Sequence, residues 1–187
     1  MDNLIRIAPL DVEVMRSATG ERIIGGIVAP FDTVAFVNDG QGPYRESLVR
    51  GAFAKTIAER GSKVQLLSQH KRDQNPLGKA IMLREDALGL YGEFRISKTQ
   101  AGDEALTLVA DGALDAFSVG FAPIRERKSV QGVLERTEVA LREVSLVTLP
   151  AYSDALVSVM RQETEPQIVM GMSIAEATKR LENLRAA

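Results

Sequence analysis

Short segments in which apolar and polar residues alternate recur along most of this chain of 187 residues. Residues 12–16 alternate strictly, residues 22–31 are rich in β-branched side chains, and residues 115–123 and 141–150 are apolar with a few polar positions. Alternation with a period of two is typical of a strand with one buried face. We therefore predict strands in these segments, together with a strand pair at residues 79–83 and 88–96.

Helical spacing of apolar residues occurs in two internal segments. Residues 51–60 carry Phe53 and Ile57 on one helical face, and Gly61 follows where a C-cap glycine is common. Residues 101–111 show the same spacing. Many short strands combined with two or three helices predict an α+β or barrel-like domain.

The domain organisation follows from hydrophobic content and from a change of character near the C-terminus. A hydrophobic content of 45% is sufficient for the core of one domain of this length, whereas two domains would each be small. The sequence becomes polar after Arg161, and Ser173 and Glu176 form a capping-box pattern that opens an amphipathic segment. We predict a domain over residues 1–160, then a linker and an amphipathic helix over residues 161–187. That helix either extends away from the domain or folds back onto it.

Composition excludes several classes of site and partner. The absence of cysteine excludes disulfides, iron-sulfur clusters, thiolate zinc sites and cysteine nucleophiles, although a carboxylate site for magnesium or calcium stays open. A formal charge of -2 and the lack of tryptophan argue against a nucleic-acid partner. No apolar run approaches the roughly 18 residues that span a bilayer, and the N-terminus lacks a signal-peptide pattern. We expect no membrane partner and a protein that acts where it is made.

The only histidine of the chain, His70, ends the alternating segment of residues 64–70. Histidine is the ordinary choice for accepting and returning a proton near neutral pH. By strand parity, the ring should point in the same direction as the side chains of Val64 and Leu66. The alternative is a surface or hydrogen-bonded structural histidine, so scarcity alone does not assign a role.

A serine lies on an unusually open strand face within residues 116–121. Strand alternation places two phenylalanines and a valine on one face and leaves Ser118 between Ala116 and Gly120 on the other. A substrate backbone could approach a face cleared of bulky side chains. The alternative is a serine tolerated at a crowded packing point.

A carboxylate occupies the middle of the apolar segment at residues 141–147. By parity, Glu143 shares a face with Leu141 and Ser145, and a buried carboxylate needs a partner such as a histidine N–H. The alternative is an ion pair with an arginine, for example Arg95 or Arg125. Ser145 is a rival nucleophile, but its apolar neighbours rank it below Ser118.

Taken together, these residues could supply a nucleophile, a base and an orienting acid, and a set of short motifs strengthens that interpretation. The motifs, in chain order, are Tyr44-Arg-Glu-Ser-Leu-Val-Arg-Gly-Ala-Phe53, Leu67-Ser-Gln-His70 with Pro76-Leu-Gly78, Gly89-Leu90, Phe117-Ser-Val-Gly-Phe121, and Glu143-Val-Ser-Leu-Val-Thr-Leu-Pro-Ala151. Over roughly residues 25–160, the chain resembles the prohead maturation proteases of tailed bacteriophages.

The resemblance implies a serine endopeptidase related in fold to the herpesvirus capsid-assembly proteases (assemblins), in which a mainly antiparallel β-barrel is surrounded by helices. It implies that Ser118 attacks the scissile carbonyl, that His70 is the general base, and that Glu143 orients the histidine. The implied chemistry needs no metal or organic cofactor. The sequence does not locate an oxyanion hole, for which backbone N–H groups beside Ser118 or near residues 149–151 are candidates.

The resemblance also implies a biological setting. The protein would be made in the host cytoplasm and would act inside the procapsid, cleaving scaffold or the delta segment of the major capsid protein and also itself. Residues 161–187 would then be a targeting segment or a propeptide, and the herpesvirus relatives suggest a homodimer. Two alternatives stay open: a non-catalytic scaffold or capsid-assembly protein that keeps the fold, and a hydrolase of small esters, which the missing Gly-X-Ser-X-Gly elbow disfavours.

Overall fold

A largely antiparallel sheet with two α-helices forms the described part of the computed structural model, which comprises residues 4–8, 13–16, 22–38 and 42–148. The strands of this part, in chain order, are β1 (Leu4–Ala8), β2 (Glu13–Arg16), β3 (Arg22–Pro30), β4 (Ala35–Asn38), β5 (Pro43–Leu48), β6 (Gln65–Ser68), β7 (Gly78–Glu85), β8 (Gly89–Ile96), β9 (Ala116–Lys128) and β10 (Leu134–Val147). The helices are α1 (Ala54–Arg60), α2 (Gln100–Ala110) and a short 3-10 turn (Gly61–Lys63).

The strand β10 connects the different parts of the sheet. The strand order is β1-β9-β10-β6-β7-β8-β3-β2, and β5 pairs with both β10 and β4. Strand β10 is antiparallel to β9 but parallel to β5 and β6. Pairing among the described strands does not join β1 to β2, so the sheet is an open half-barrel. The predicted α+β class with mainly antiparallel strands is confirmed, whereas the specific likeness to herpesvirus assemblins stays a prediction.

One face of β9 forms the centre of the core, as strand alternation predicts. Phe117, Val119 and Phe121 are buried in the main hydrophobic cluster, and the Phe117 ring centroid lies 5.7 Å from that of Phe94 on β8. Each large apolar side chain buried in this way contributes roughly 1.5–3 kcal/mol. The other face of β9, which carries Ser118, is left for polar contacts.

Both helices lie where the spacing of apolar residues predicts them, but the two ends of α1 differ in detail from the prediction. Helix α1 begins at Ala54 and not at Gly51, because Gly51 has a φ of 95° and begins a turn. The Glu85 carboxylate stabilises this turn by accepting the N–H groups of Gly51 and Phe53, both at 2.7 Å. Gly61 is the C-cap residue of α1, as predicted, but its φ is -48° and therefore not left-handed, and the chain continues into the 3-10 turn. Helix α2 confirms the predicted segment.

The long hairpin of β9 and β10 exceeds the predicted strands. The strand pair predicted at residues 79–83 and 88–96 is confirmed as β7 and β8. The charged stretch around Gly132 is a hairpin, as interpreted, but both strands continue through it, because cross-strand ion pairs such as Arg127–Glu135 stabilise an exposed ladder. The strands β1, β4 and β5 were not predicted, since their short sequences show little alternation.

The predicted linker and terminal helix at residues 161–187 lie outside the described residues, as does residue 160, so the predicted domain boundary stays a prediction. Among the residues that the structure describes, no helix combines the length and apolar character that crossing a bilayer requires.

Candidate active site

The three candidate residues come from three neighbouring strands of the sheet. Ser118 lies on β9, Glu143 on β10, and His70 directly after β6. Strand β10 pairs with both of the others, so that Ser145 is registered opposite Ser118 on one side and Leu67 on the other. This arrangement places residues that are distant in sequence at one point of the sheet.

A left-handed turn, and not strand parity, positions His70. Strand β6 ends at Ser68, and Gln69 and His70 have φ values of 49° and 58°. The parity prediction that grouped His70 with the side chains of β6 is therefore wrong. Positive φ at non-glycine residues costs about 1–3 kcal/mol and persists only where neighbouring groups hold it. Here the Gln69 N–H donates to the Leu146 carbonyl at 3.0 Å, and the Lys71 N–H donates to the Ser68 carbonyl at 2.9 Å.

The histidine ring bridges the serine and the carboxylate. Nδ1 lies 2.8 Å from Oε1 of Glu143, and Nε2 lies 2.7 Å from Oγ of Ser118. An ionised carboxylate only accepts hydrogen bonds, so Nδ1 carries the proton in the neutral ring and Nε2 is left as an acceptor. In this tautomer, the imidazole is able to take the hydroxyl proton of Ser118.

A β-bulge turns Glu143 toward this site. Leu141 is registered opposite Phe121, but Glu143 is registered opposite Gly120, so two residues of β10 face one residue of β9 there. Since directly opposed residues share a face, Leu141 points toward the core and Glu143 points to the Ser118 side. The predicted parity of Glu143 with Leu141 is therefore wrong, whereas its parity with Ser145 is confirmed.

Ser145 is a bridge between the acid and the histidine backbone. Its Oγ donates to Oε2 of Glu143 at 2.7 Å and accepts the His70 N–H at 3.2 Å. Both Ser145 and Glu143 are buried. Of the arginines considered as alternative partners of Glu143, Arg125 pairs with Glu138. Nη2 of the exposed Arg72 lies 4.0 Å from Oε1 of Glu143. An ion pair so exposed and so long contributes little.

Ser118 is completely buried, and a third strand contacts its hydroxyl. Its relative exposure is 0%, and its Oγ lies within hydrogen-bond reach of the main-chain carbonyl of Arg6 on β1, at 3.0 Å. Strand β1 pairs antiparallel with β9 and places Ile7 opposite Ser118. By contrast, the His70 side chain keeps 17% of its surface exposed. Sequence reasoning missed β1, because its five residues are too short and too weakly alternating to stand out as a strand.

One cavity on the described part of the molecule borders the candidate site, and another lies apart from it. A cavity of about 240 Å³ borders the acid of the site; it is lined by Gln65, Leu67, Arg72, Gln74, Arg142 and Glu143. A larger cavity of about 700 Å³ contains none of the three candidate residues and is lined by several cationic side chains, among them Lys63, Lys79 and Lys98. Among the described residues, no three histidine or carboxylate side chains group as metal ligands.

Known proteins are similar to this chain in sequence or in fold. Residues 10–168 match the family model of the caudovirus prohead serine proteases. The chain belongs to this family. Within the caudovirus prohead serine proteases, the prohead protease of Enterobacteria phage HK97 is 29% identical over 139 residues, which are 73% of this chain. These residues amount to 60% of the HK97 protein, so the chain spans less than two thirds of that relative.

The fold also resembles a solved structure. The bacteriophage T4 capsid assembly protease, gp21, superimposes with a TM-score of 0.52 over 80% of this chain and 100% of the T4 chain. The sequence identity is 14%, so this comparison establishes a shared fold. The family expectation from the short motifs is thus confirmed by the family model and by the HK97 relative.

Proposed function

We propose that the chain is a serine endopeptidase of phage head maturation that uses Ser118 as nucleophile, His70 as general base and Glu143 as the orienting acid. The observation that carries the proposal is the continuous hydrogen-bonded series from Ser118 Oγ through both ring nitrogens to Glu143 Oε1, with steps of 2.7 and 2.8 Å. A nucleophile, a base and an acid in this order are the arrangement of serine hydrolases on unrelated folds.

The reaction begins with attack of Ser118 Oγ on the scissile carbonyl carbon while Nε2 of His70 takes the hydroxyl proton. The tetrahedral intermediate collapses as the same Nε2–H protonates the leaving amine, and the acyl group stays on Ser118. Water then attacks the acyl carbon, with Nε2 as base, and the carboxyl product leaves as Ser118 recovers its proton. One histidine therefore moves a proton in each direction in each half-reaction.

Glu143 contributes by holding the ring and by stabilising the imidazolium that forms during attack. Its Oε1 accepts from Nδ1–H, and its Oε2 is fixed by Ser145. A carboxylate held on both oxygens cannot easily rotate away from the ring. In its buried setting, the favourable interaction with the developing positive charge is stronger than it would be in water.

The substrates are scaffold or capsid-protein delta segments inside the procapsid, and the chain also cuts itself, with residues 161–187 as the removable part. Support for this setting comes from the family, from the HK97 relative named a prohead protease, and from the T4 neighbour named a capsid assembly protease. A second candidate function is a non-catalytic capsid-assembly protein, which is favoured by one observation: Ser118 has no exposed surface.

Co-expression with the cognate capsid precursor separates the two candidates. Wild type, Ser118→Ala and the exposed control Ser62→Ala are compared by intact mass of the precursor and of the chain itself. The protease proposal predicts processing by wild type and Ser62→Ala but none by Ser118→Ala. Equal processing by all three would reject Ser118 as nucleophile, and processing by none would favour the assembly role.

A further inference from the structure

The edge of β9 that carries Ser118 is occupied by a strand of the same chain. One edge of β9 pairs with β10 along nearly its whole length, and the other edge pairs with β1 from Leu4↔Phe121 to Ala8↔Phe117. Among the described strands, β1 ends the strand order on this side. A peptide that pairs with β9 beside Ser118 therefore has to take the position of β1.

The main chain of β1 lies where a scissile carbonyl needs to be. The Arg6 carbonyl oxygen lies 3.0 Å from Oγ of Ser118, which is a hydrogen-bond contact. A scissile peptide group has to bring its carbonyl carbon to about 3–3.5 Å from the same Oγ, and the peptide group of Arg6 takes up that space. No surface of Ser118 is left exposed for another carbonyl. Thus β1 presents an extended backbone to the nucleophile in the way that a bound substrate strand would.

The same contact competes with the base for a proton. The Ser118 hydroxyl has one hydrogen, and both Nε2 of His70 at 2.7 Å and the Arg6 carbonyl at 3.0 Å lie within its reach. When Nδ1–H is donated to Glu143, Nε2 also needs that hydrogen. When the Ser118 hydroxyl donates its hydrogen to the Arg6 carbonyl, that hydrogen is not available to His70. Strand β1 therefore covers Ser118 and also opposes its activation.

One side chain anchors this strand from the opposite face. The Arg6 guanidinium donates to the Glu46 carboxylate and to the Tyr44 hydroxyl at 3.1 Å, and it lies over the Phe121 ring. Arg6 is registered opposite Val119, so its side chain lies away from Ser118. Glu46 also accepts from Arg136 at 2.7 Å, so it keeps a cationic partner when Arg6 is removed.

We propose that the β1 edge of β9, residues 117–121, is the docking surface for an extended segment of the capsid or scaffold substrate, and that β1 occupies this surface until the substrate displaces it. This proposal rests on the proposed function. Main-chain pairing supplies the affinity in such strand addition, which fits a substrate recognised in extended form. Displacement of β1 uncovers Ser118 and frees its hydroxyl for His70 in a single step.

The first experiment measures how fast Ser118 reacts with diisopropyl fluorophosphate in the folded full chain. In this reaction, an Oγ–P bond forms as the P–F bond breaks, the hydroxyl proton passes to His70, and fluoride leaves. Arg6→Ala is compared with wild type and with Arg127→Ala, which removes an exposed guanidinium from the far end of β9. Since labelling follows the population with β1 displaced, we expect Arg6→Ala to label about tenfold faster, and Arg127→Ala to match wild type.

A second variant answers the case in which Arg6→Ala fails to fold. The chain has no cysteine, so Ile5→Cys combined with Gly120→Cys creates a single disulfide between registered residues of β1 and β9. Gly120 does not have positive φ, so a side chain there does not strain the backbone, and Ile5 is 43% exposed. Because Gly120 belongs to the docking surface itself, the oxidised and reduced forms of this one protein are compared with each other, so that the effect of the two cysteine side chains cancels. We expect the oxidised protein to leave capsid precursor uncut and the reduced form of the same protein to cut it.

The outcomes separate the two proposals. Cleavage by the oxidised protein at the rate of the reduced one, or labelling of a folded Arg6→Ala protein no faster than wild type, would overturn the role of β1 and would mean that substrate reaches Ser118 from the exposed side of His70. Absence of both labelling and cleavage in every form, the reduced protein included, would instead reject the proposed protease function.

Discussion

Ser145 and Glu143 form a buried hydrogen bond, Oγ to Oε2 at 2.7 Å, in which the serine oxygen also accepts the His70 N–H. One hydroxyl therefore fixes both the carboxylate and the backbone of the residue that the carboxylate orients. The position of the imidazole depends on a serine that is not part of the proposed proton path.

Ser145→Ala should weaken both stability and turnover without abolishing cleavage. The buried Glu143 carboxylate and the partly buried His70 N–H each lose a partner, so we expect the free energy of unfolding to fall by about 1–3 kcal/mol. Because the imidazole is then held less well, we expect kcat to fall about 10–100-fold with little change in KM. Urea unfolding and cleavage kinetics check this, with Ser62→Ala as control. Loss of activity as complete as in Ser118→Ala would instead make Ser145 a nucleophile candidate again.

Glu143→Gln should reduce kcat/KM by about 10³–10⁴-fold while the protein stays folded. The neutral amide can donate to Nδ1, which favours the tautomer whose Nε2 carries the proton and cannot accept one from Ser118. Cleavage kinetics together with circular dichroism test this. Glu138→Gln, on the same strand but outside the site, is the matched control and should keep its activity. Wild-type activity in Glu143→Gln would remove the acid from the mechanism.

Cleavage should slow when His70 becomes protonated, because Nε2 has to be unprotonated to accept the hydroxyl proton. The chain has one histidine, so its ring gives a single pair of proton NMR signals. We expect the midpoint of the acid limb of kcat/KM to coincide with the midpoint of that NMR titration in the same buffer. Clearly separate midpoints would assign the acid limb to another group.

Glu46→Gln should destabilise the fold by about 3–5 kcal/mol, because it removes the carboxylate that the buried Arg136 and the partly buried Arg6 share. Urea unfolding measures the loss. Glu135→Gln breaks the exposed ion pair with Arg127 on the hairpin of β9 and β10, and it should lower the free energy of unfolding by only about 0–1 kcal/mol. A similar small loss in both variants would mean that the buried cluster contributes no more than a surface ion pair.

Local pattern was sufficient to predict the strand that carries Ser118, because alternation alone separates the packed phenylalanines of β9 from its polar face. It was also sufficient to mark Glu143 as a carboxylate that needs a partner. It failed where neighbouring strands decide the conformation. The bulge that turns Glu143 depends on the pairing of β10 with β9, and the left-handed turn at His70 depends on hydrogen bonds that its N–H groups donate to residues of β10.

The contact of β1 with Ser118 was beyond prediction for a related reason. Arg6 and Ser118 are separated by 112 positions in the sequence. The group that contacts Ser118 is a main-chain carbonyl, which every residue has, so the residue type at position 6 gives no indication of the contact. The ion pair that anchors β1 is also non-local, since Glu46 pairs with Arg6 and Arg136, which lie near opposite ends of the described chain.

The parallel pairing of β10 with β6 has a consequence for synthesis of the protein. The N–H groups of His70 and Gln69 donate to Ser145 and Leu146, near the end of the last described strand. Long-range strand pairing forms only after the intervening chain is available, and ribosomes extend chains from the N-terminus. On the ribosome, a nascent chain that has exposed His70 and Ser118 but not yet residues 143–146 cannot hold the imidazole in place, so translation itself delays assembly of the site until β10 has emerged.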